Sequence, residues 1–339
     1  MRKFFVLCLV IFLIGAFMVG CSTTPDNPSN ENTENSEAKN NSEKESYPIR
    51  PVTSIVAWGA GGGCDVTARL LGEYFQDITG QPQPIINMPG AGAEIGFVEL
   101  KNSKADGYTV GLLAGPTIVG NILDHEAGYK LEDFEWIIGV SKAVRTISVS
   151  GNSPFKTLED LIKWAKENPG KLQLANGGHG THAHLTFVDF ADKAGIEVKH
   201  VPFDGSASSM TAVLGGHCDA SSPSIGEVLE LAKSGEMRVL AVFDEERSEE
   251  LPDVPTAREV GVDAVHLTLR GIGGPKGIPE DRVKILHDTY KKAMENPEFI
   301  KKFTADTLSY REGKKFEKDI AYMLETYKPV MDVLKEQQK

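Results

Sequence analysis

The sequence predicts an α/β fold of two lobes around a cleft, and three observations carry that prediction. Apolar runs of strand length alternate with helical stretches from residue 52 to residue 243. The alternation falls into two runs with no long linker between them. Glycine- and serine-rich loops stand where strands give way to helices, the place where open α/β sheets bind ligands. The sheets are expected to be mainly parallel, with the chain crossing between the lobes more than once.

In chain order, the first twenty residues lie outside this fold. Arg2 and Lys3 precede an apolar run from Phe4 to Val19, and Gly20 and Cys21 follow. A charged start, a short apolar stretch and a small-residue stop describe an export signal. Residues 22–46 are rich in Asn, Ser, Glu and Pro with no apolar period, so they cannot offset their chain entropy by burial and read as a disordered tether.

The body then begins. Val52 to Trp58 reads as a strand, Asp65 as the N-cap of a helix to Ile78, and Thr79-Gly80 as its stop. A short strand, Gln83 to Asn87, ends in Pro89-Gly90-Ala91-Gly92; a helix spans Ile95 to Lys101; Asp106-Gly107 turns into a strand from Tyr108 to Leu113. Trp136–Val140 and Thr146–Val149 are further strands. Thr157 with Asp160 three residues on opens a helix that Pro169-Gly170 ends. Strands at Leu172–Ala175, Val198–Pro202, His217–Ala220 and Met237–Phe243 then alternate with helices at His182–Ala194, Met210–Leu214 and Ile225–Ser234. From Glu280 onward the pattern is mostly helical.

Composition limits the function. At 339 residues and 40% hydrophobic, the chain can bury a sizeable core. A net charge of −12 with no basic stripe argues against nucleic acid as a partner. A small anion stays possible, because a local set of oriented N–H groups holds an anion whatever the overall charge. Cys8 lies in the signal and Cys21 at its end, leaving Cys64 and Cys218 in the body; these are expected to be free thiols, although an exported pair can also bond.

Two loops carry the candidate chemistry. WGAGGGCDVTARLL (58–71) places Gly59, Gly61, Gly62 and Gly63 between a strand and a helix. It has no Lys for a phosphate loop and its spacing misses the dinucleotide fingerprint. Two readings remain: an anion nest, in which helix N-terminal N–H groups without internal partners face a negative charge, or a tight turn. The second loop, Asn176 to His184, offers Gly178 and Gly180 N–H groups, the Thr181 hydroxyl and His184 at another helix N-terminus. His179, His182 and His184 also invite a metal reading, though no two are spaced i, i+4 on a helix. No nucleophile elbow is present, and Ser206, Ser208 and Ser209 lack a His/Asp pattern, so no catalytic residue is nominated.

At these residues the chain resembles the receptors of the tripartite tricarboxylate transporters, the Bug or TctC-type extracytoplasmic solute receptors. YPIRPVTSIVAWGAGGGCDVTARLL is similar to their opening, and further matches follow in family order. They are Asn87-Met-Pro-Gly-Ala-Gly, Ala105-Asp-Gly-Tyr-Thr109, Asn168-Pro-Gly-Lys-Leu172, His200-Val-Pro-Phe203, Leu214-Gly-Gly-His-Cys-Asp219, Leu251-Pro-Asp-Val-Pro-Thr256 and Gly271 to Pro279. Met18-Val19-Gly20-Cys21 resembles the lipobox of bacterial lipoproteins, in which the cysteine is acylated and becomes the mature N-terminus.

The resemblance implies a two-lobe, type II-like periplasmic-binding-protein fold that closes on an organic anion. Lobe 1 is expected from 47–143 plus 267–339 and lobe 2 from 144–266. It points to Trp58, Ala60, Gly61, Gly62 and Asp65 in one lobe and to Gly180, Thr181 and His184 in the other, with Gly63 from the same glycine run; Asp65 as an N-cap is more structural than ligating. Asp204 matches a loop that often lines the cleft. Arg270 stands where many members carry an aromatic residue; it either clamps a carboxylate or makes a surface or interlobe salt bridge. Cys64 and His179 are further departures. The implied function is a receptor, not an enzyme, with no cofactor and no metal, that binds a di- or tricarboxylate and delivers it to permease subunits, anchored outside the cell membrane by a lipid on Cys21. Two other readings stay open. One is a surface metal-binding receptor or hydrolase using His179, His182 and His184, and the other is a receptor recruited to signalling.

Overall fold

Strands that bury nearly every residue, not every second one, locate the two sheets, because a sheet covered on both faces has no polar side. The computed structural model describes residues 46–304 and 306–337. The expected signal, tether and lipid site at Cys21 lie outside the described residues. The first strands and helices are β1 (Thr53–Val56), α1 (Gly63–Thr79), β2 (Ile85–Asn87), α2 (Glu94–Asn102), β3 (Thr109–Gly115), α3 (Thr117–Asp124) and β4 (Phe134–Val144). Next come β5 (Thr146–Ser150), α4 (Leu158–Glu167), β6 (Leu172–Asn176), α5 (His182–Ala194), β7 (Val198–Pro202), α6 (Ser206–Leu214), β8 (Ala220–Ser221), α7 (Ile225–Lys233) and β9 (Met237–Val242). The chain closes with β10 (Leu267–Pro275), α8 (Glu280–Met294), α9 (Pro297–Lys302), β11 (Thr307–Glu312) and α10 (Gly313–Gln337).

One sheet has the order β11-β4-β10-β3-β1-β2 and the other β7-β6-β8-β5-β9, which makes the two-lobe α/β fold. The sheets are mixed rather than mainly parallel. Among the described strands, β1–β2, β1–β3, β6–β7 and β6–β8 pair parallel, while β10 pairs antiparallel with β3 and β4, β11 with β4, and β5 with β8 and β9. The antiparallel pairing of β10 has a topological cause. β10 returns from the second sheet and enters the first between β3 and β4 from the opposite end, so no βαβ crossover sets its direction.

Helix signals read from the sequence are found with small shifts. Thr157 caps α4, its side chain accepting from the Asp160 N–H while Asp160 reaches back. Helix α1 begins at Gly63, so its N-cap is Gly62 and Asp65 lies inside the first turn; Gly80, at φ 73°, ends it in the left-handed conformation. Helix α6 starts at Ser206, four residues before the expected Met210. Strands β10 and β11 and helix α3 were not anticipated. In β10, Leu-Thr-Leu-Arg-Gly-Ile-Gly-Gly-Pro is glycine-rich and reads poorly as a strand. Its glycines are there for close approach: a Cβ on Gly271 would collide with the Ile138 carbonyl and the Phe316 ring.

Each sheet has its own core. Phe75, Phe97, Phe134, Ile138, Tyr290 and Phe316 pack with the first sheet, and Leu172, Leu174, Phe187, Phe190 and Phe243 with the second. Full burial of each such side chain is worth about 1.5–3 kcal/mol. The chain passes from β4 to β5 through one residue, Arg145, whose N–H donates to the His266 carbonyl and whose carbonyl accepts from Phe243 N–H. This crossing is therefore tied to the return segment between β9 and β10. Cys64 and Cys218 are both buried and unbonded. No helix among the described residues is long and apolar enough to cross a membrane.

Candidate functional site

The glycine loop after β1 turns at Gly61, at φ 84°, and sends its N–H groups to three different partners. Gly61 N–H donates to Asp65 Oδ2 at 2.9 Å. Asp65 also accepts from Arg69 and from Asn87 Nδ2, which in turn reaches the Trp58 carbonyl. Burial raises the Asp65 carboxyl, but these donors overcome it and hold it below its ordinary value. Asp65 is thus a fastener inside the loop and does not face the crevice between the sheets. Gly59 N–H donates across that crevice to the Asp204 carbonyl at 2.9 Å. Asp204 therefore contributes backbone there, and the residue itself is exposed. Ala60 and Gly61 lie exposed at the lip, Gly62 is buried beside Ser206, and Gly63 N–H points into the crevice.

The group that Gly63 meets is a carboxylate of the protein itself. Glu227, in the first turn of α7, accepts from Gly63 N–H through Oε1 at 2.6 Å and from the Ser206 hydroxyl at 2.5 Å. Its Oε2 accepts from Ser224 N–H at 2.6 Å. Arg145 and Arg270 stand 3.5 and 3.8 Å from this carboxylate, and both arginines are buried. Burial drives the Glu227 carboxyl up, yet the two guanidinium groups hold it down at about 2. Arg270 also pairs with buried Asp306, which accepts from the Ser141 hydroxyl. None of the three guanidinium nitrogens of Arg145, nor Arg270 Nε, makes a hydrogen bond to another described residue. Burial pulls Arg145 down to about 10, so it is charged at neutral pH. Gly63 has no room for a side chain: a Cβ would stand 2.7 Å from both Arg270 terminal nitrogens and from Glu227 Oε1.

The second loop is closed on itself, contrary to the expectation that it would present donors to an anion. Gly180 N–H donates to His184 Nδ1 at 3.1 Å, because a ring one turn into α5 reaches back over the helix start. The Thr181 hydroxyl donates to the Gly178 carbonyl at 2.7 Å. His184 faces away from the glycine loop, packed at 5.0 Å from the His179 ring and 4.6 Å from that of His200. His182 lines the crevice instead, its Nδ1 3.0 Å from Thr117 Oγ1 and its ring 6.5 Å from Trp58. Burial, with Arg145 and Arg270 nearby, keeps His182 neutral well below its usual range. His179 pairs with Asp124 at 2.9 Å. His179 and His184 thus share one neighbourhood while His182 lies in another, and no metal-holding cluster occurs among the described residues.

The two lobes touch through backbone. A Cβ on Gly92 would collide with the His179 carbonyl, and one on Gly120 with the Gly180 carbonyl. The crevice is correspondingly tight. Its inner part, lined by Trp58, Gly63, Cys64, His182, Glu227 and Arg270, holds a free volume of about 10 Å³. An outer cavity of about 360 Å³ shares Trp58 and Gly177 with it and adds Ala91, Gly92, His179 and Asp204. Larger cavities, one of about 470 Å³ beside Lys142 and Asp244 and one of about 610 Å³ beside His184 and His200, do not include the glycine loop. Burial pushes the Cys64 thiol up to about 12, so it is protonated in the crevice.

Of the nominated residues, the fold brings Trp58, Gly62, Gly63 and Arg270 together around the inner crevice, while Ala60, Gly61, Asp65, Gly180, Thr181 and His184 are exposed or committed elsewhere. Sequence reading missed Glu227, Arg145, Ser206 and Asp306. The spacing Ser224-x-x-Glu227 was a readable capping signal, and both of its hydrogen bonds form. Nothing local announced that the same carboxylate also crosses to Gly63.

The profile described as tripartite tricarboxylate transporter family receptor matches residues 67–331. A Cupriavidus necator protein, named for its place in the gbd 5′ region, is 34% identical over 260 residues, 76% of this chain and 79% of that one. Among solved structures, the periplasmic binding protein BugD superposes with a TM-score of 0.79 at 26% identity, covering 84% of this chain and 98% of BugD. R. palustris Rpa4515, solved with adipate, gives a TM-score of 0.79 at 25% identity over 85% of this chain and 98% of its own.

Proposed function

The chain belongs to the tripartite tricarboxylate transporter receptor family, extracytoplasmic solute-binding proteins, and from that premise we propose that it captures a di- or tricarboxylate in the crevice between its two sheets. The observation that carries this reading is the convergence of Gly63 N–H, Arg270 and Arg145 on one carboxylate position in a buried crevice. Charge-assisted bonds of this type are about twice as strong as neutral ones, and a water-poor site strengthens them further. The adipate bound by a relative of the same fold supports the ligand class.

In this reading Trp58, Gly62, Gly63, His182, Ser206 and Arg270 line the solute site. Ala60, Gly61 and Asp204 shape its lip, and Asp65, Gly180, Thr181 and His184 hold the loops. Residues 47–143 and 267–339 form one lobe and 144–266 the other, a division supported by the membership of the two sheets. In this reading the protein carries its solute unchanged, a role that its membership of a receptor family supports. Residues 1–20 direct export, an acylated Cys21 anchors the chain in the membrane, and residues 22–46 tether the body within reach of permease subunits that receive the solute.

Isothermal titration of the full chain with succinate, malate, adipate and citrate tests this. A saturable one-to-one signal and a rise in melting temperature with the same acid are expected. No heat and no thermal shift with any of the four would refute it.

A further inference from the structure

We propose that Glu227 is a tethered competitor for the solute's carboxylate position and thereby selects solutes with two or more carboxylates over monocarboxylates. This rests on the crevice being the solute site. Glu227 already has the partners a bound carboxylate would need: the N–H groups of Gly63 and Ser224, the Ser206 hydroxyl, and two buried guanidinium groups. The inner crevice, with about 10 Å³ free, has no space for a second carboxylate beside it. A water molecule alone needs about that much. A solute carboxylate that reaches Gly63 therefore replaces Glu227.

The fold allows that replacement. Gly63 and Arg270 belong to elements around the first sheet, whereas Glu227, Ser206 and Ser224 belong to elements around the second. When the sheets part, Glu227 leaves Gly63 and Arg270 but keeps its bonds to Ser206 and Ser224. A side chain on its own helix returns at little entropic cost, while a free solute gives up translational and rotational freedom to occupy the same place. A monocarboxylate exchanges like for like and carries that cost uncompensated. A solute with a second carboxylate brings contacts that Glu227 does not replace, and wins.

The test compares matched acids on the full chain: succinate against butyrate and adipate against hexanoate. Wild type, Glu227→Gln, Glu227→Asp and Ser206→Ala are titrated with each. Glu227→Asp keeps the charge between the two arginines but withdraws it by one methylene. Ser206→Ala keeps every charge and loosens Glu227, so the question survives if Glu227→Gln does not fold. In wild type the dicarboxylate is expected to bind and its monocarboxylate partner not to reach saturation. In the Glu227 variants the ratio of the two Kd values is expected to fall at least tenfold through gained monocarboxylate binding, with a smaller fall in Ser206→Ala. If a dicarboxylate binds wild type and the ratio is unchanged or larger in the folded variants, the competitor role is overturned while the carboxylate receptor stands. If no acid binds any form, the assignment of the crevice itself is overturned.

Discussion

Gly63→Ala probes the crevice with one methyl group. The added Cβ would lie 2.7 Å from three atoms, both terminal nitrogens of Arg270 and Oε1 of Glu227, all in a buried charge cluster. Their side chains cannot swing to solvent, since Arg270 is 1% exposed and is also held by Asp306. Overpacking of this kind costs about 1–3 kcal/mol. Displacing Glu227 also removes the 2.6 Å bond from Gly63 N–H, and a hydrogen bond to a charged group is worth about 1.5–3 kcal/mol. Alanine in place of glycine returns at most about 1 kcal/mol, less at the first residue of a helix than in its interior. The net expectation is a loss of about 2–5 kcal/mol of stability. Urea denaturation followed by far-ultraviolet circular dichroism measures it, as a lower midpoint at an unchanged slope. A variant within about 0.5 kcal/mol of the parent would show that the crevice is not packed as described.

Two further outcomes follow from the same geometry. Gly92→Ala places a methyl group against the His179 carbonyl at φ 60°, so it should wedge the lobes apart without touching Gly63; small-angle scattering should report a larger radius of gyration, and an unchanged radius would contradict the backbone contact. Stability should fall in acid in two stages. His200, lowered by burial to about 4, His182, lowered by burial and by Arg145 and Arg270, and His184, lowered by burial and by the His200 and His179 rings beside it, contribute stability that is complete above the ordinary histidine value of 6.5 and is lost as pH drops from there through their folded values. For His200 this is at most about 3 kcal/mol. Glu227, lowered from 4.5 to about 2, adds a second loss below pH 4.5. Urea midpoints that stay flat from pH 7 to pH 4 would count against the buried histidines.

Much of the architecture was legible because local physics and the fold agree. β7 and α5 have the bounds their patterns suggest, Thr157 caps its helix as its spacing to Asp160 implies, and the glycine run does end a strand and open a helix. β10 was hidden because its glycines answer to the neighbouring backbone of Ile138 and the ring of Phe316, contacts far away in sequence. The direction of that strand, and so the mixed character of the first sheet, follows from how the chain returns from the other sheet.

The sequence by itself determined the two-lobe α/β alternation, the family and the placing of a glycine run between a strand and a helix, because strand period, capping spacing and glycine's freedom act within a few residues. Only the tertiary structure decided which donors remain available. Gly61 N–H goes to Asp65 and Gly180 N–H to His184, while Gly63 N–H crosses 164 positions to Glu227 between two buried arginines. Partner choice at that range depends on how the lobes close, and desolvation of the charges makes it consequential, since an arginine or a carboxylate buried there must find its counter-charge within the crevice.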